Sequence, residues 1–121
     1  MGPVERIGAE SFSGSRLSRS GTWAVGFLAD WCPFCRSFEP EFAKLALRDG
    51  ASRVVADLTD EDNPLWERFR IEIVPSVIVF QDGDPIFRVD GKGGYGLDAA
   101  DLASVRAAVS GTRSRDRAES L

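Results

Sequence analysis

LADWCPFCRSFEPEF (28–42) holds the only two cysteines of the chain, Cys32 and Cys35, in a chain without histidine. The residues before it, TWAVGFLA (22–29), form a continuous apolar run. Such a run suits a strand buried on both faces. The residues after it, PFCRSFEPEFAKLALRDG (33–50), read as a helix. Phe34, Phe38, Phe42, Leu45 and Ala46 recur at helical spacing, and Asp49-Gly50 supply a stop. Pro40 falls inside that helix and should kink it. The cysteine pair is therefore expected on a strand-to-helix turn.

Working outward, VERI (4–7) reads as a short edge strand. ESFSGSRLSRSG (10–21) reads as a weak helix or a turn region, because Gly14 and several serines lower its propensity. SRVVADL (52–58) is a further strand. DEDNPLWERFRI (60–71) is a helix with Asn63 as N-cap and Pro64 at the first helical position. PSVIVF (75–80) is a buried strand, QDGD (81–84) a hairpin turn and PIFRVDG (85–91) the returning strand. LDAADLASVRAAV (97–109) is an amphipathic helix with Leu97, Leu102, Val105 and Val109 facing inward. Strands alternating with helices give an α/β core, and the final hairpin makes the sheet mixed. One domain is expected over residues 1–110, followed by a flexible polar tail at 111–121.

Length and composition narrow the function. A chain of 121 residues suits one domain with a real core. It has no run of 18 apolar residues, and its start, MGPVERIGAESFSG, lacks the pattern of a signal peptide. The expectation is a cytoplasmic protein with no membrane partner. A net charge of −4 argues against a general nucleic-acid binder. Two cysteines are too few for a disulfide scaffold, so the close pair points to redox chemistry or metal. Zinc usually takes four ligands, which only a dimer sharing four cysteines would supply, so no metal is expected. DLTDED (57–62) reads as a solvated helix start. GKGGYG (91–96) matches no phosphate-binding pattern and reads as a flexible loop.

The chemistry of the pair follows from its place. A helix N-terminus offers unpaired N–H groups and a positive dipole end, which favour a thiolate over a thiol. Pro33 suits the first turn because it has no N–H to leave unpaired. Arg36 adds a positive charge nearby, and Trp31 and Phe34 offer an apolar surface. Cys32, expected to be exposed, attacks a substrate disulfide. Cys35, one turn along and more buried, resolves the mixed disulfide. Neither step needs a metal or a histidine.

FLADWCPFC on a strand-to-helix turn, with Pro40 in the following helix and IVPSVIVFQDGDPIFRVDG (73–91) downstream, resembles the thioredoxin family over residues 4–109. The resemblance implies a thioredoxin fold, a central mixed β-sheet flanked by helices. It also implies a protein-disulfide oxidoreductase with no bound organic cofactor, served by a thioredoxin-reductase-like electron donor. Pro75 would be a cis-proline facing the cysteines. The backbone of Val74 would pair with an extended substrate segment, and Gly91 would permit close approach.

The chain departs from the family in two places. Pro33-Phe34 replaces the usual Gly-Pro between the cysteines and is closer to the Pro-aromatic pair of glutaredoxins. That suggests a potential nearer roughly −200 to −230 mV than the thioredoxin value of about −270 mV. Gly26 stands where the family places a buried Asp, and Asp57 stands where it places a lysine. Asp57, with a pKa raised by burial, is therefore expected to take the proton from Cys35; the plainer reading is a half-exposed acid at a strand end. Trp23 and Trp66 read as packing residues. Two other functions stay open: a docking or chaperone module on the same fold, and an oxidase or isomerase.

Overall fold

The computed structural model describes residues 4–92 and 96–120. Its strands are β1 (Arg6–Ile7), β2 (Phe12–Ser13), β3 (Arg16–Leu17), β4 (Thr22–Leu28), β5 (Ala51–Asp57), β6 (Ser76–Gln81) and β7 (Asp84–Asp90). Its helices are α1 (Pro33–Lys44), α2 (Leu65–Arg68) and α3 (Ala99–Ser120). Five strands form one mixed sheet in the order β1-β5-β4-β6-β7, and β2 and β3 form a separate hairpin. This is the expected α/β architecture.

The apolar run 22–29 becomes the central strand. β4 pairs parallel with β5 on one side and antiparallel with β6 on the other. All of its residues but Trp23 are buried, as a strand covered on both faces requires. The antiparallel register sets Phe27 against Ser76. The chain leaving β4 toward Cys32 therefore passes the chain entering β6 from Pro75. The β6–β7 hairpin turns where QDGD predicts, with Asp82 at φ 49° and Gly83 at φ 92°. Two positive φ values in sequence are what a tight hairpin turn needs.

The stretch 10–21 is not a helix. A 3₁₀ turn over Ala9–Ser11 leads into the β2–β3 hairpin. Phe12 and Leu17 from that hairpin are buried. The Phe12 ring lies 5.2 Å from Phe69, 5.9 Å from Phe80 and 6.2 Å from Phe27. Those apolar contacts override the weak local propensity.

Two helices stop earlier than their sequence suggests, and arginines from neighbouring strands help explain it. α1 ends at Lys44, short of Asp49-Gly50, and Arg53 on β5 donates to the carbonyls of Phe42 and Ala43. α2 is a single turn, and Arg88 on β7 donates to the carbonyls of Phe69 and Arg70 that follow it. These bonds satisfy carbonyls that a helix end leaves without partners. The start of α2 is shifted by one residue: Pro64, expected as the first helical residue, is the N-cap, and Asn63 Oδ1 just before it accepts from the Leu65 N–H at 2.9 Å. α3 continues through Ser120, past the point where the sequence predicts a fraying tail, and Leu121 lies outside the described residues. Val105 and Val109 are fully buried, and Leu97 and Leu102 pack against the core.

Because Phe12 anchors the hairpin to four-ring packing, Phe12→Ala is expected to destabilise the fold by about 3–5 kcal/mol. Urea unfolding monitored by tryptophan fluorescence checks this; a loss below about 1 kcal/mol would mean the hairpin is not part of the core.

Candidate active site

Cys32 is the N-cap residue of α1 and Pro33 its first helical residue. Pro33 thus occupies a position whose N–H would have no helical partner. The Cys35 N–H donates to Cys32 Sγ at 3.2 Å, so the helix start points a donor at the sulfur. On its other side the Cys32 thiol donates to the Val74 carbonyl at 3.5 Å. The Val74–Pro75 peptide bond is cis, as the resemblance implies. The expectation of an exposed Cys32 needs correction: its exposure is 4%, against 2% for Cys35. A sulfur tucked between the helix start and the Val74 carbonyl is reached through a groove, not from an open surface.

That groove encloses about 280 Å³ and is lined by Trp31, Cys32, Pro33, Phe34, Trp66, Glu72, Ile73 and Val74. Trp31 is 50% exposed, Phe34 40% and Ile73 40%. These are the exposed large hydrophobic residues among those described, and all three line the same groove beside Cys32. Trp66, read from sequence as packing, belongs here as well. Its ring stacks on Trp31 with centroids 6.1 Å apart and planes 9° from parallel. The Trp31 Nε1–H donates to the Thr59 carbonyl at 3.0 Å, and the Trp66 Nε1–H to the Asp60 carbonyl at 3.2 Å. No spacing in the sequence announces that pairing, because it depends on the loop between β5 and α2. Trp23, by contrast, does pack against the core, with the Arg19 guanidinium 4.7 Å above its ring.

Gly91 sits where a Cβ would stand 2.5 Å from the Pro75 carbonyl. Glycine there lets the end of β7 close against the cis-proline segment. Gly96 similarly approaches Phe34 and Pro75, so both ends of GKGGYG, Gly91 and Gly96, abut the site; residues 93–95 lie outside the described residues. Arg36 donates to the Asp30 carbonyl at 3.3 Å, beside the turn that carries the cysteines.

Of the two readings of Asp57, the structure agrees with the half-exposed acid at a strand end and corrects the proton-acceptor role. Its side chain is 37% exposed and lies 3.6 Å from Arg6. Its Oδ1 accepts from the Thr59 N–H at 2.9 Å and from the Thr59 hydroxyl at 2.6 Å. Burial pushes its pKa up, but the Thr59 bonds and the Arg6 charge outweigh that and hold the carboxyl below its ordinary value. A carboxyl so held does not collect a proton near neutrality. It instead anchors Thr59, whose hydroxyl accepts from the Asp30 N–H and whose carbonyl takes the Trp31 indole.

Gly26 explains why no acid occupies the family's usual place. A Cβ there would meet the Phe42 ring at 3.1 Å, so aromatic packing fills the space. The carboxylate whose charge reaches Cys35 is Glu39, one helical turn further along α1. Arg6 donates to its two oxygens at 2.9 and 3.2 Å. Cys35 itself is pushed up to about 12, chiefly by burial, then by its bond with Cys32, and slightly by Glu39, against a backbone hydrogen bond with Ala29. Glu39 went unnoticed in the sequence, although its i, i+4 spacing from Cys35 is a signal that could have found it. Among the described residues no cluster of three or more potential ligands is placed to hold a metal.

Two thiols at a strand-to-helix turn, one bonded to the carbonyl before a cis-proline, define a protein built for thiol–disulfide exchange. The thioredoxin family model matches residues 4–103, and the chain belongs to the thioredoxin family. It is 31% identical to thioredoxin from Mycobacterium bovis over 96 residues, covering 78% of this chain and 83% of that one. It is 32% identical over 96 residues to the bifunctional thioredoxin reductase/thioredoxin of Mycobacterium leprae, of which it covers 21%. The fold is similar to that of a mutant thioredoxin from Halobacterium salinarum, with a TM-score of 0.67 at 22% identity over 88% of this chain and 90% of that one. The family's activity is thiol–disulfide oxidoreduction, and these relatives do not favour a redox-silent docking module.

The Asp57 assignment has a pH signature. A carboxyl held below its unfolded value contributes stability that is present above the unfolded pKa and is lost as pH falls through the folded one. Asp57→Asn should therefore be less stable than the parent at pH 7, with the gap closing as the solution is acidified below the ordinary Asp range. Urea unfolding at stepped pH checks this, and a gap that persists unchanged at low pH would refute it.

Proposed function

We propose that this chain reduces protein disulfides, with Cys32 as nucleophile and Cys35 as resolving thiol. The observation that carries this reading is that, among the described residues, the exposed large hydrophobic side chains converge on the groove leading to Cys32. The Cys32 thiolate attacks one sulfur of the substrate disulfide, forming a mixed disulfide and expelling the other sulfur as a thiolate. Cys35 then loses its proton and attacks Cys32 Sγ. The second substrate sulfur leaves, and the Cys32–Cys35 disulfide holds the two electrons' worth of oxidation. The division of labour is supported by Cys35, which at about 12 keeps its proton at neutral pH while Cys32 receives the N–H at the helix start.

An extended substrate segment lies along Val74 and pairs with its backbone, flanked by Trp31, Phe34, Pro75 and Gly91. A thioredoxin-reductase-like partner returns the chain to its dithiol form; the Mycobacterium leprae relative, whose name joins reductase and thioredoxin, supports that pairing. No bound organic cofactor is called for, since the dithiol carries the electrons. The net charge of −4 speaks against nucleic acid as a partner. Among the described residues no helix is long and apolar enough to cross a membrane, in keeping with work in the cytoplasm. The working unit is residues 1–110.

Cys32→Ser should abolish turnover of a protein disulfide, whereas Cys35→Ser should stall as a mixed disulfide through Cys32 that intact-mass spectrometry detects. Trapping through Cys35 in place of Cys32 would reverse the assignment. A redox titration against glutathione buffers should give one two-electron transition between about −200 and −270 mV; a value near about −180 mV or above would mark an oxidase or isomerase. In the reduced protein, alkylation of Cys35 should rise about tenfold per pH unit from pH 7 to 10, because only the thiolate reacts and Cys35 lies near about 12. A plateau within that range would contradict it.

A further inference from the structure

The groove is more than a wide apolar slot. The Trp31–Trp66 stack presents two indole rings whose N–H groups are both tied to main-chain carbonyls of the 59–60 loop. Tethered in this way, the rings do not swing freely, and Trp31 remains half exposed. A rigid, open indole surface attracts a guanidinium or an ammonium through its ring electrons. The chain makes that contact within itself where Arg19 lies over Trp23.

Glu72 lines the same groove. It is exposed and makes no hydrogen bond or ion pair with any described residue, so its carboxylate is uncommitted. It lies two residues before Val74, whose carbonyl meets Cys32 Sγ. Two residues of chain span at most about 7 Å, so a substrate side chain facing Glu72 belongs to a residue within about two positions of the attacked cysteine. Asp60, whose carbonyl holds the Trp66 indole, is a further exposed carboxylate on that side of the stack. Positive groups nearby are Arg36, which is turned to the Asp30 carbonyl, Arg68, which is exposed and shares a recess with Pro64 and Glu67, and Arg70, which shares a small recess with Glu72, Asp90 and Gly91.

We propose that the Trp31–Trp66 stack and Glu72 together make this groove select disulfides whose attacked cysteine is flanked by a basic side chain. The cation sits over the indole surface with Glu72 as its counter-charge, while the substrate backbone follows Val74. This rests on the reductase reading above and names the class of substrate for that same site. An electroneutral apolar segment would use the rings but leave Glu72 unanswered.

The test uses homodimeric peptide disulfides that differ only in carrying Arg, Ala or Glu two residues to either side of the cysteine. Each rate of reduction by the full chain is divided by the rate of dithiothreitol on the same peptide, which removes the peptide's own electrostatics. The expected result is a preference of about five- to tenfold for Arg over Glu. Glu72→Lys should erase or invert that preference, and Trp66→Ala should lower the rate for Arg relative to Ala. Asp49→Lys makes the same change of charge at the opposite end of the sheet and should keep the preference. Equal normalised rates for the three peptides would overturn the inference while leaving the reductase reading intact. So would Asp49→Lys acting as strongly as Glu72→Lys, since that would trace the preference to the overall charge. Failure to reduce any of the peptides would remove the reductase reading and this inference with it.

Discussion

The site depends on one register. β4 and β6 run antiparallel with Phe27 opposite Ser76, and that pairing brings the Val74 carbonyl to the Cys32 sulfur. A slip of one residue would turn every side chain of β6 to the other face and carry Val74 away from the turn. The register is held by burial: all six β6 residues are buried, and the neighbouring face of β4 is covered as well. The cysteines thus owe their surroundings to the packing of an apolar sheet and only secondarily to the residues between them.

Charge around the dithiol is arranged differently from the family's pattern. Phe42 packs across Gly26, where a Cβ would meet its ring at 3.1 Å, so a side chain at that position of β4 would press on the ring. Asp57 turns outward to Thr59 and Arg6. Arg6 also holds Glu39, and Asp30 lies within 3.9 Å of it, so one guanidinium from an edge strand gathers three carboxylates near the cysteine-bearing turn. A negative charge close to a buried thiol favours its protonated form. Burial first, then the bond with Cys32, and only slightly Glu39 make Cys35 a reluctant thiolate, and the order of attack follows from that asymmetry.

The groove joins local chemistry to tertiary placement in a similar way. Trp31 precedes the cysteine in sequence, but its orientation comes from Thr59, and Thr59 is positioned by Asp57. Trp66 stands at the start of α2, and its ring meets Trp31 because the loop between β5 and α2 holds both indoles through the carbonyls of Thr59 and Asp60. Asp57, expected as a proton acceptor, serves this substrate surface instead.

What the sequence determined by itself was whatever depends on neighbours along the chain. The apolar run 22–29, the CxxC pair on a helix start and the turn at QDGD announce a strand, a reactive turn and a hairpin, because each rests on local periodicity or on a backbone conformation. They were enough to read the α/β fold and the two cysteines, and the resemblance to the thioredoxin family supplied the facing proline. Tertiary structure alone decided the rest. Phe12 overrode a serine-rich stretch of weak propensity by joining three distant rings. Arg53 and Arg88 supplied partners for the last carbonyls of α1 and the segment after α2, from strands far along the chain. The burial of Cys32, the exposure of Asp57 and the Trp31–Trp66 stack all arise where segments remote in sequence meet. Solvation and charge at a point depend on everything within a few ångströms of it, and no spacing along one chain encodes that.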